Sequence, residues 1–478
     1  MTAIALPARH EAAPPRLDAW AAEATAFAVL FATVLFLPQI LNDGDTLWQI
    51  RAGEWILDHR AIPATDPFSF TTAGKPWFAH EWLAEALMAL AWRTGGMSGV
   101  MTLTALAVAT TSALLLRHLR AFVPGPYAVL GLAIALANAA PSLLARPHVL
   151  AWPCLVLWCG GLAMARARRE SPPLWLLPAM TLWVNLHGSF MGGLLLAAAF
   201  AVEAVCDPTA NRRAAAIQWG RFLLAAILCA LANPEGPAGL LFPFQHLGMK
   251  SLAWIGEWQS TDFSRLQPLE LMILAGLALG LSGKVTLPPM RLLMLLALIH
   301  GALSHSRNEQ LLGLVGAIVL AQPIGAALGR GQALPTPTWR FAIFAAPILA
   351  LAALGARAAI PLTPERTGAA FAATLARVPP DLRTRPVLND YSLGGDLIFQ
   401  GIRPFVDSRA DLHGDAFLTR FRAATAPNRP ALRRLLTEHA IAWTIFPAGH
   451  PIVPALDQEP GWRRLTEAGG AIVHIRTP

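Results

Sequence analysis

Two carboxylates one residue apart are the strongest candidates for chemistry in this sequence. Asp43 and Asp45 lie on a glycine-containing turn directly after the first apolar run, residues 23–41. A carboxylate at the mouth of a membrane span is costly unless it faces water, a partner or an ion. Such a group can act as general base on a hydroxyl, and we assign that role to Asp43. Asp45 can share it or bind a divalent cation through oxygen.

A structural role for the same pair is the alternative. Asp45 could cap the helix that we predict over residues 48–59. Asp43 would then have no specific role and would simply lie at the membrane interface. Capping needs one carboxylate, whereas two are present. We therefore favour the catalytic interpretation of the pair.

Other polar side chains suited to binding occur in the loop after the first apolar run and at the ends of later runs. Arginine binds phosphate through two parallel hydrogen bonds, and histidine changes charge near neutral pH. Our candidates for substrate binding are Arg51, His80, Glu81, Arg146, His148, His187, Glu235, Glu257, His305 and Arg307. All fall on the predicted membrane side of the acidic pair, which favours one shared polar cavity. Each taken singly could instead be a helix cap or a turn residue.

The composition indicates the elements that must position these residues. Hydrophobic residues make up 55% of the 478 residues and charged residues 14%, and the mean hydropathy is +0.48. Soluble domains carry about 25% charged residues, so a fully soluble protein is excluded. The net charge of +8 does not indicate nucleic acid, because the basic residues lie mainly in short loops between apolar runs. That distribution is the positive-inside pattern of membrane proteins.

About eleven runs are apolar enough to cross a bilayer. They lie near residues 23–41, 97–116, 124–141, 148–165, 173–187, 189–206, 220–233, 267–283, 290–304, 309–328 and 340–359. Arginine is concentrated in alternate connections between them. The asymmetry places the N-terminus in the cytoplasm, and the loop 42–96 and the tail outside it.

We therefore predict a mainly α, polytopic membrane protein with a small C-terminal α/β domain. Its parts are a cytoplasmic segment 1–22, a transmembrane domain 23–359 and an extracytoplasmic domain 360–478. The outer loop 42–96 should contain interfacial helices, since its tryptophans fall on helices with polar opposite faces. In the tail, strand-like runs alternate with helical stretches such as 431–439. The strand-like runs are residues 385–388, 404–406, 441–446 and 471–475.

The tail carries its own polar motif. Asp407, Arg409 and Asp411 alternate after a strand-like run, so they could lie near each other. A structural salt-bridge network is the favoured interpretation, and binding of an acceptor is the functional one. Gly394 and Gly395 open a predicted helix and could offer backbone N–H groups to an anion.

The sequence resembles the GT-C superfamily of membrane glycosyltransferases. The resemblance rests on Asp43 and Asp45, the predicted helices near 47–59 and 80–94, and the tail domain. It implies an enzyme of the bacterial inner membrane that moves a sugar from a polyprenyl-phosphate donor to an acceptor glycan, lipid or protein on the outer face. The superfamily's catalytic aspartate then corresponds to Asp43 or Asp45.

A second resemblance covers nearly the whole chain. The sequence is similar to a group of bacterial multi-pass proteins that share the pattern GDTxWxIxxGxWIL, followed by TDPFSFT, GKPW and HEWL. The group also has a tail similar to residues 387–391, 394–395 and 406–411 of this chain. These patterns name no reaction. The alternatives are a transporter or flippase for a lipid-linked saccharide, a polysaccharide polymerase or ligase, and a non-enzymatic assembly partner. Transporters carry polar residues near the membrane midplane, whereas here they lie at one face.

Overall fold

The computed structural model describes residues 20–329, 340–362 and 369–477. The predicted transmembrane domain is built from helices joined by short turns, and most of its buried apolar side chains form one continuous core. The helices are α1 (Ala21–Leu35), α2 (Gly44–His59), α3 (Trp82–Arg120), α4 (Gly125–Ala139), α5 (Pro147–Arg168), α6 (Leu177–Leu186), α7 (Phe190–Val205), α8 (Arg212–Ala230), α9 (Pro237–Leu247), α10 (Pro268–Leu281), α11 (Pro289–Ser304), α12 (Glu309–Ala327) and α13 (Arg340–Ala359).

Each predicted span coincides with one of these helices, namely α1, α3 to α8 and α10 to α13. Four stretches among the described residues are long and apolar enough to cross a membrane: Trp82–Arg120, Pro147–Arg168, Arg212–Ala230 and Ser306–Ala327. Shorter apolar helices accompany them. The chain is therefore mainly helical with the character of a polytopic membrane protein, and the count of eleven crossings stays a prediction.

Helix α3 combines two predicted elements in one. Its backbone leaves the helical conformation at Gly95 and Gly96, and Gly96 has a φ of 57°. This left-handed conformation favours glycine because it lacks a Cβ. The resulting kink separates the helix predicted near residues 80–94 from the span predicted at 97–116.

Helix α2 begins four residues before the predicted start at residue 48. Asp43 has an extended backbone, and its side chain accepts a hydrogen bond from the backbone N–H of Asp45 at 3.1 Å. The N-cap is therefore Asp43, and the alternative that Asp45 caps this helix is wrong. Helix α2 lies close to α3, where a Cβ on Gly53 would be 1.9 Å from the backbone oxygen of Glu85.

The C-terminal part contains a four-stranded sheet with the order β1-β2-β4-β3. Strand β1 pairs parallel with β2, and the other neighbours are antiparallel. The strands are β1 (Val387–Asn389), β2 (Trp443–Pro447), β3 (Trp462–Ala468) and β4 (Ala471–Arg476). The helices are α14 (Ala369–Ala376), α15 (Pro380–Arg383), α16 (Gly394–Phe399), α17 (Ala410–His413), α18 (Asp415–Thr425), α19 (Arg429–Glu438) and α20 (Val453–Asp457).

Most strand predictions in the tail are confirmed, but the predicted strand 404–406 is wrong. Its backbone bonds to a side chain instead of to a neighbouring strand. The amide oxygen of Asn389 accepts from the N–H of Phe405 at 2.8 Å, and its amide nitrogen donates to the carbonyl of Val406 at 2.8 Å. Strand β3 was not predicted, because its side chains are largely half-buried or exposed and show no clear apolar alternation. The helix predicted at 431–439 is confirmed as α19.

Candidate functional site

The candidate site is centred on one arginine that contacts three carboxylates. Arg146 precedes α5 in an extended conformation, which directs it towards the start of α2. Its Nη2 lies 2.7 Å from Asp43 Oδ1 and 2.7 Å from Asp45 Oδ2, and its Nε also contacts Asp43. Its Nη1 lies 2.9 Å from Oε2 of Glu257. The acidic pair is thus bound to a residue about one hundred positions later in the chain.

Burial and charge act against each other in this group. Burial is the main cause that raises the pKa of Asp45; Arg146 opposes the rise, and Asp43 adds to it. For Arg146, burial lowers the pKa, but the carboxylates of Asp45 and Asp43 outweigh it, so the pKa is raised well above its usual value. Arg146 therefore stays charged, while Asp45 takes up a proton more readily than an exposed aspartate.

Glu257 joins this group to a second arginine. Its Oε1 lies 3.1 Å from Nη1 of Arg307, while its Oε2 is bound by Arg146. Burial acts to raise the pKa of Glu257, but Arg307 and Arg146 together lower it below its usual range. Arg307 also lies 4.3 Å above the ring centroid of Trp258. Two guanidinium groups are consequently held at the two oxygens of a single carboxylate.

A second group consists of a glutamate between two histidines. Glu81 Oε1 lies 3.6 Å from Nε2 of His80 and 3.5 Å from Nε2 of His187. The ring of His148 is 6.0 Å from that of His187. Burial raises the pKa of Glu81 to about 8, although Arg307 and Arg146 act in the opposite direction. At pH 7 Glu81 is mostly a neutral acid that can donate a hydrogen bond.

Aromatic rings extend from this second group to the first. The ring of Phe242 lies 4.4 Å from His80 and 6.0 Å from His246, and His246 lies 5.6 Å from Trp258. Trp258 contacts His305 in turn, whose Nδ1 lies 2.7 Å from the backbone oxygen of Trp258. Phe242 and His246 belong to α9, which the sequence analysis did not predict. The available signal was the run Phe-Pro-Phe-Gln-His at residues 242–246, shortly after the turn Asn-Pro-Glu-Gly.

Two predicted binding residues lie outside these contacts. Arg51 pairs with Glu54 at 2.6 Å on α2 and lies 5.8 Å from the ring centroid of Phe399. Glu235 is exposed, and its carboxylate makes no hydrogen bond or ion pair within the described parts of the chain. The contacts therefore bring together the remaining predicted residues and leave these two apart.

The tail motif forms a buried network with the loop between α2 and α3. Arg409 binds Asp66 at 2.8 Å and Asp407 at 2.7 Å, and Ser69 Oγ donates to Asp407 Oδ2 at 2.7 Å. All these side chains are almost fully buried. The arrangement is the salt-bridge network that we favoured for Asp407 and Arg409. Asp411 takes no part in it.

A divalent cation at Asp45 was one of the options that the sequence left open. In the described ranges, no group of three or more histidine, cysteine, aspartate or glutamate side chains is placed to hold a metal ion. Oxygens of Asp45 contact Arg146 and the indole N–H of Trp48. A divalent cation at Asp45 would have to displace these contacts.

The fold of this chain is similar to that of a solved structure. The comparison with solved structures gives ArnT from Cupriavidus metallidurans, in a crystal structure bound to undecaprenyl phosphate, with a TM-score of 0.51 and 13% identity. The alignment covers 94% of this chain and 97% of ArnT, so the similarity extends over the whole architecture. At this identity it establishes the fold alone. No family model and no curated protein matches the sequence.

Proposed function

We propose that this protein is a membrane glycosyltransferase that moves a sugar from a polyprenyl-phosphate donor to an acceptor hydroxyl on the outer membrane face. The observation that carries the proposal is the pair of arginines, Arg146 and Arg307, bound to one carboxylate beside two aspartates. The proposal is supported by the fold shared with ArnT, whose crystal structure contains undecaprenyl phosphate.

Glu257 occupies the position that a donor phosphate would take. Its two oxygens each accept from one guanidinium, at 2.9 Å and 3.1 Å, and a phosphate offers oxygens with comparable spacing. Its side chain is 35% exposed, so it can move away without opening the core. We infer that the phosphate displaces Glu257 and is then held by Arg146 and Arg307.

The acidic pair supplies the base. Asp43 is bound through both oxygens to Arg146 and also caps α2, which suits it to positioning. Asp45 has the raised pKa. Arg146 binds its Oδ2 at 2.7 Å and Ser408 forms a side-chain hydrogen bond with it, but its Oδ1 makes only a long contact, 3.4 Å, with Trp48. A more basic carboxylate with a free lone pair is the better proton acceptor. The contacts therefore favour Asp45 as the base over the sequence-based choice of Asp43.

The proposed reaction is a single displacement. Asp45 takes the proton from the acceptor hydroxyl, and the acceptor oxygen forms a bond to the anomeric carbon of the sugar. The bond from that carbon to the phosphate oxygen breaks, and polyprenyl phosphate leaves with the electron pair. The arginines stabilise the charge that develops on the leaving phosphate.

The aromatic and histidine groups face the same region and suit the acceptor. The rings of Phe242, His246 and Trp258 provide flat faces for stacking. Neutral Glu81 and His187 offer hydrogen-bond donors and acceptors beside them. Together these side chains could orient a hydroxyl-rich acceptor next to Asp45.

The direct test is transfer of a labelled sugar from polyprenyl phosphate by the purified protein in nanodiscs. We expect transfer by the wild type and by Glu235→Gln, a matched control that changes a carboxylate without contacts on the same side. Asp45→Asn should abolish it. Movement of the lipid-linked sugar across the bilayer without transfer would instead support the transporter alternative.

A further inference from the structure

A cavity lies at the far ends of the helices that carry the candidate site. It has a volume of about 600 Å³ and is bounded by α3, α5 and the turn that precedes α6. Helix α5 begins beside Arg146 and runs 22 residues to Arg168, which lines the cavity. Twenty-two residues of helix span about 33 Å, roughly the thickness of a bilayer core. The cavity therefore lies near the opposite membrane face.

The walls of this cavity divide into an apolar part and a basic part. Leu114, Val156, Leu157 and Met164 supply apolar surface towards the middle of the helices. The basic part is formed one turn or more further along, at the helix ends. Its arginines are Arg117, Arg120 and Arg168.

Two of these arginines are free to bind an anion. Arg120 is occupied, because its Nη1 binds both oxygens of Glu23 at 2.7 and 2.8 Å. Arg168 makes no hydrogen bond or ion pair with any residue that the structure describes, and Arg117 is exposed and lies 3.6 Å from the ring centroid of Trp20. Glu170 also lines the cavity and opposes an anion there.

Exposed tryptophans indicate the level of the membrane at which the cavity lies. Trp175 lines it and is 59% exposed, and Trp20 beside Arg117 is 45% exposed. Tryptophans on the surface of membrane proteins concentrate at the level of the lipid headgroups. The free guanidinium groups are thus placed where lipid phosphates lie, and the apolar wall is placed where acyl chains lie.

We propose that this cavity binds an anionic phospholipid, with its phosphodiester at Arg117 and Arg168 and an acyl chain along the apolar wall. Basic pockets between membrane helices on the cytoplasmic side are a known form of lipid recognition. Under the predicted topology this face is the cytoplasmic one. The site is independent of the glycosyltransferase proposal, because its residues take no part in the outer group.

The test is native mass spectrometry of the delipidated full-length protein, titrated with phosphatidylglycerol, phosphatidylcholine or inorganic phosphate. We expect phosphatidylglycerol to bind about tenfold more tightly than phosphatidylcholine. Replacing both arginines, Arg117→Gln with Arg168→Gln, should remove that preference. Arg169→Gln is the matched control, since Arg169 is the next residue and does not line the cavity.

A second variant, expected to tighten lipid binding, distinguishes a specific loss of the lipid site from misfolding. Glu170→Gln removes the opposing charge and should tighten binding of phosphatidylglycerol severalfold. Equal binding of the two lipids, or an unchanged preference in the double variant, would overturn the proposal. Displacement of the lipid by inorganic phosphate at equal concentration would also overturn it, by assigning the site to a soluble anion.

Discussion

The indole N–H of Trp48 donates a hydrogen bond to Oγ of Ser408 at 2.9 Å, although 360 residues separate the two. The same N–H lies 3.4 Å from Oδ1 of Asp45. Helix α2 also meets α16 without space for a side chain, because a Cβ on Gly395 would be 2.0 Å from the backbone oxygen of Gly44. The tail thus contacts the turn that carries the acidic pair, and it is positioned to hold that turn in place.

The first prediction concerns the two aspartates. Asp45→Asn should lower the transfer rate by about 10²–10⁴-fold, because an amide cannot accept the proton. Asp43→Asn should also lower it, since Arg146 loses its bidentate partner, while α2 stays capped because Asn caps as well as Asp. Sugar transfer by purified protein is the measurement.

The two variants should differ in their pH profiles. If Asp45 is the base, Asp45→Asn removes the rise of activity with pH at the acidic side, and Asp43→Asn retains it. The reverse pattern would return the base role to Asp43. If both variants turn over as fast as the wild type, the turn that carries Asp43 and Asp45 has no catalytic role.

The second prediction concerns donor binding. Arg307→Ala should raise KM for the polyprenyl-phosphate donor by about tenfold or more, because a charge-assisted hydrogen bond to phosphate contributes about 1.5–3 kcal/mol. Glu257→Gln should lower KM, because the phosphate then displaces a neutral group from Arg146 and Arg307. A higher KM in Glu257→Gln would show that Glu257 supports the donor and does not compete with it.

The third prediction follows from the pKa of Glu81. The folded protein holds a proton on Glu81 up to about pH 8, whereas an unfolded glutamate with its ordinary pKa of 4.5 has lost it. The stabilising contribution is therefore complete at low pH and is lost as the pH rises towards 8. Between pH 7 and 8 this one group should lower the free energy of unfolding by about 1 kcal/mol, because the full slope of about 1.4 kcal/mol per pH unit applies only well below pH 8.

The wild type is compared with the variant Glu81→Gln, whose side chain has the same size and cannot ionise. Its melting temperature should vary less between pH 7 and 8 than that of the wild type, measured in detergent. Histidines contribute little in this window, because an unperturbed histidine is already neutral above its pKa of about 6.5. Identical slopes in the two proteins would show that Glu81 is ionised in the folded protein.

The fourth prediction concerns the network around Arg409. Arg409→Met should destabilise the protein by about 3–5 kcal/mol, because it leaves the carboxylates of Asp66 and Asp407 buried without their cation. The control is Arg403→Met, at an exposed arginine nearby, which should have little effect. A melting temperature of Arg409→Met equal to that of the control would contradict the structural role.

The fifth prediction is the topology. The N-terminus should be cytoplasmic and the C-terminus outside, because arginine is concentrated in alternate connections. Alkaline phosphatase fused after residue 478 should be active, since it folds only outside the cytoplasm. A fusion at this position that is active only as a cytoplasmic reporter would overturn the predicted topology.

The sequence alone predicted the helices of the candidate spans and most of the tail strands, but not α9. An apolar run needs no knowledge of its neighbours to be recognised as a candidate span, and each predicted run coincides with a helix. The boundary between the helix predicted near residues 80–94 and the span predicted at 97–116 also came from sequence, and the structure places the kink of α3 there, at Gly95 and Gly96. The sorting of polar residues to one membrane side was also predicted from sequence, through the distribution of arginine between alternate connections, and it stays a prediction.

The tertiary structure alone decided which side chains meet. The contact of Arg146 with Asp43 joins residues 103 apart, and that of Arg409 with Asp66 joins residues 343 apart. No local periodicity encodes such pairs, because they depend on how helices and loops pack. For the same reason the sequence could not show that Asn389 takes the backbone bonds of residues 404–406. The polar residues were visible in the sequence, but their partners were fixed only by packing.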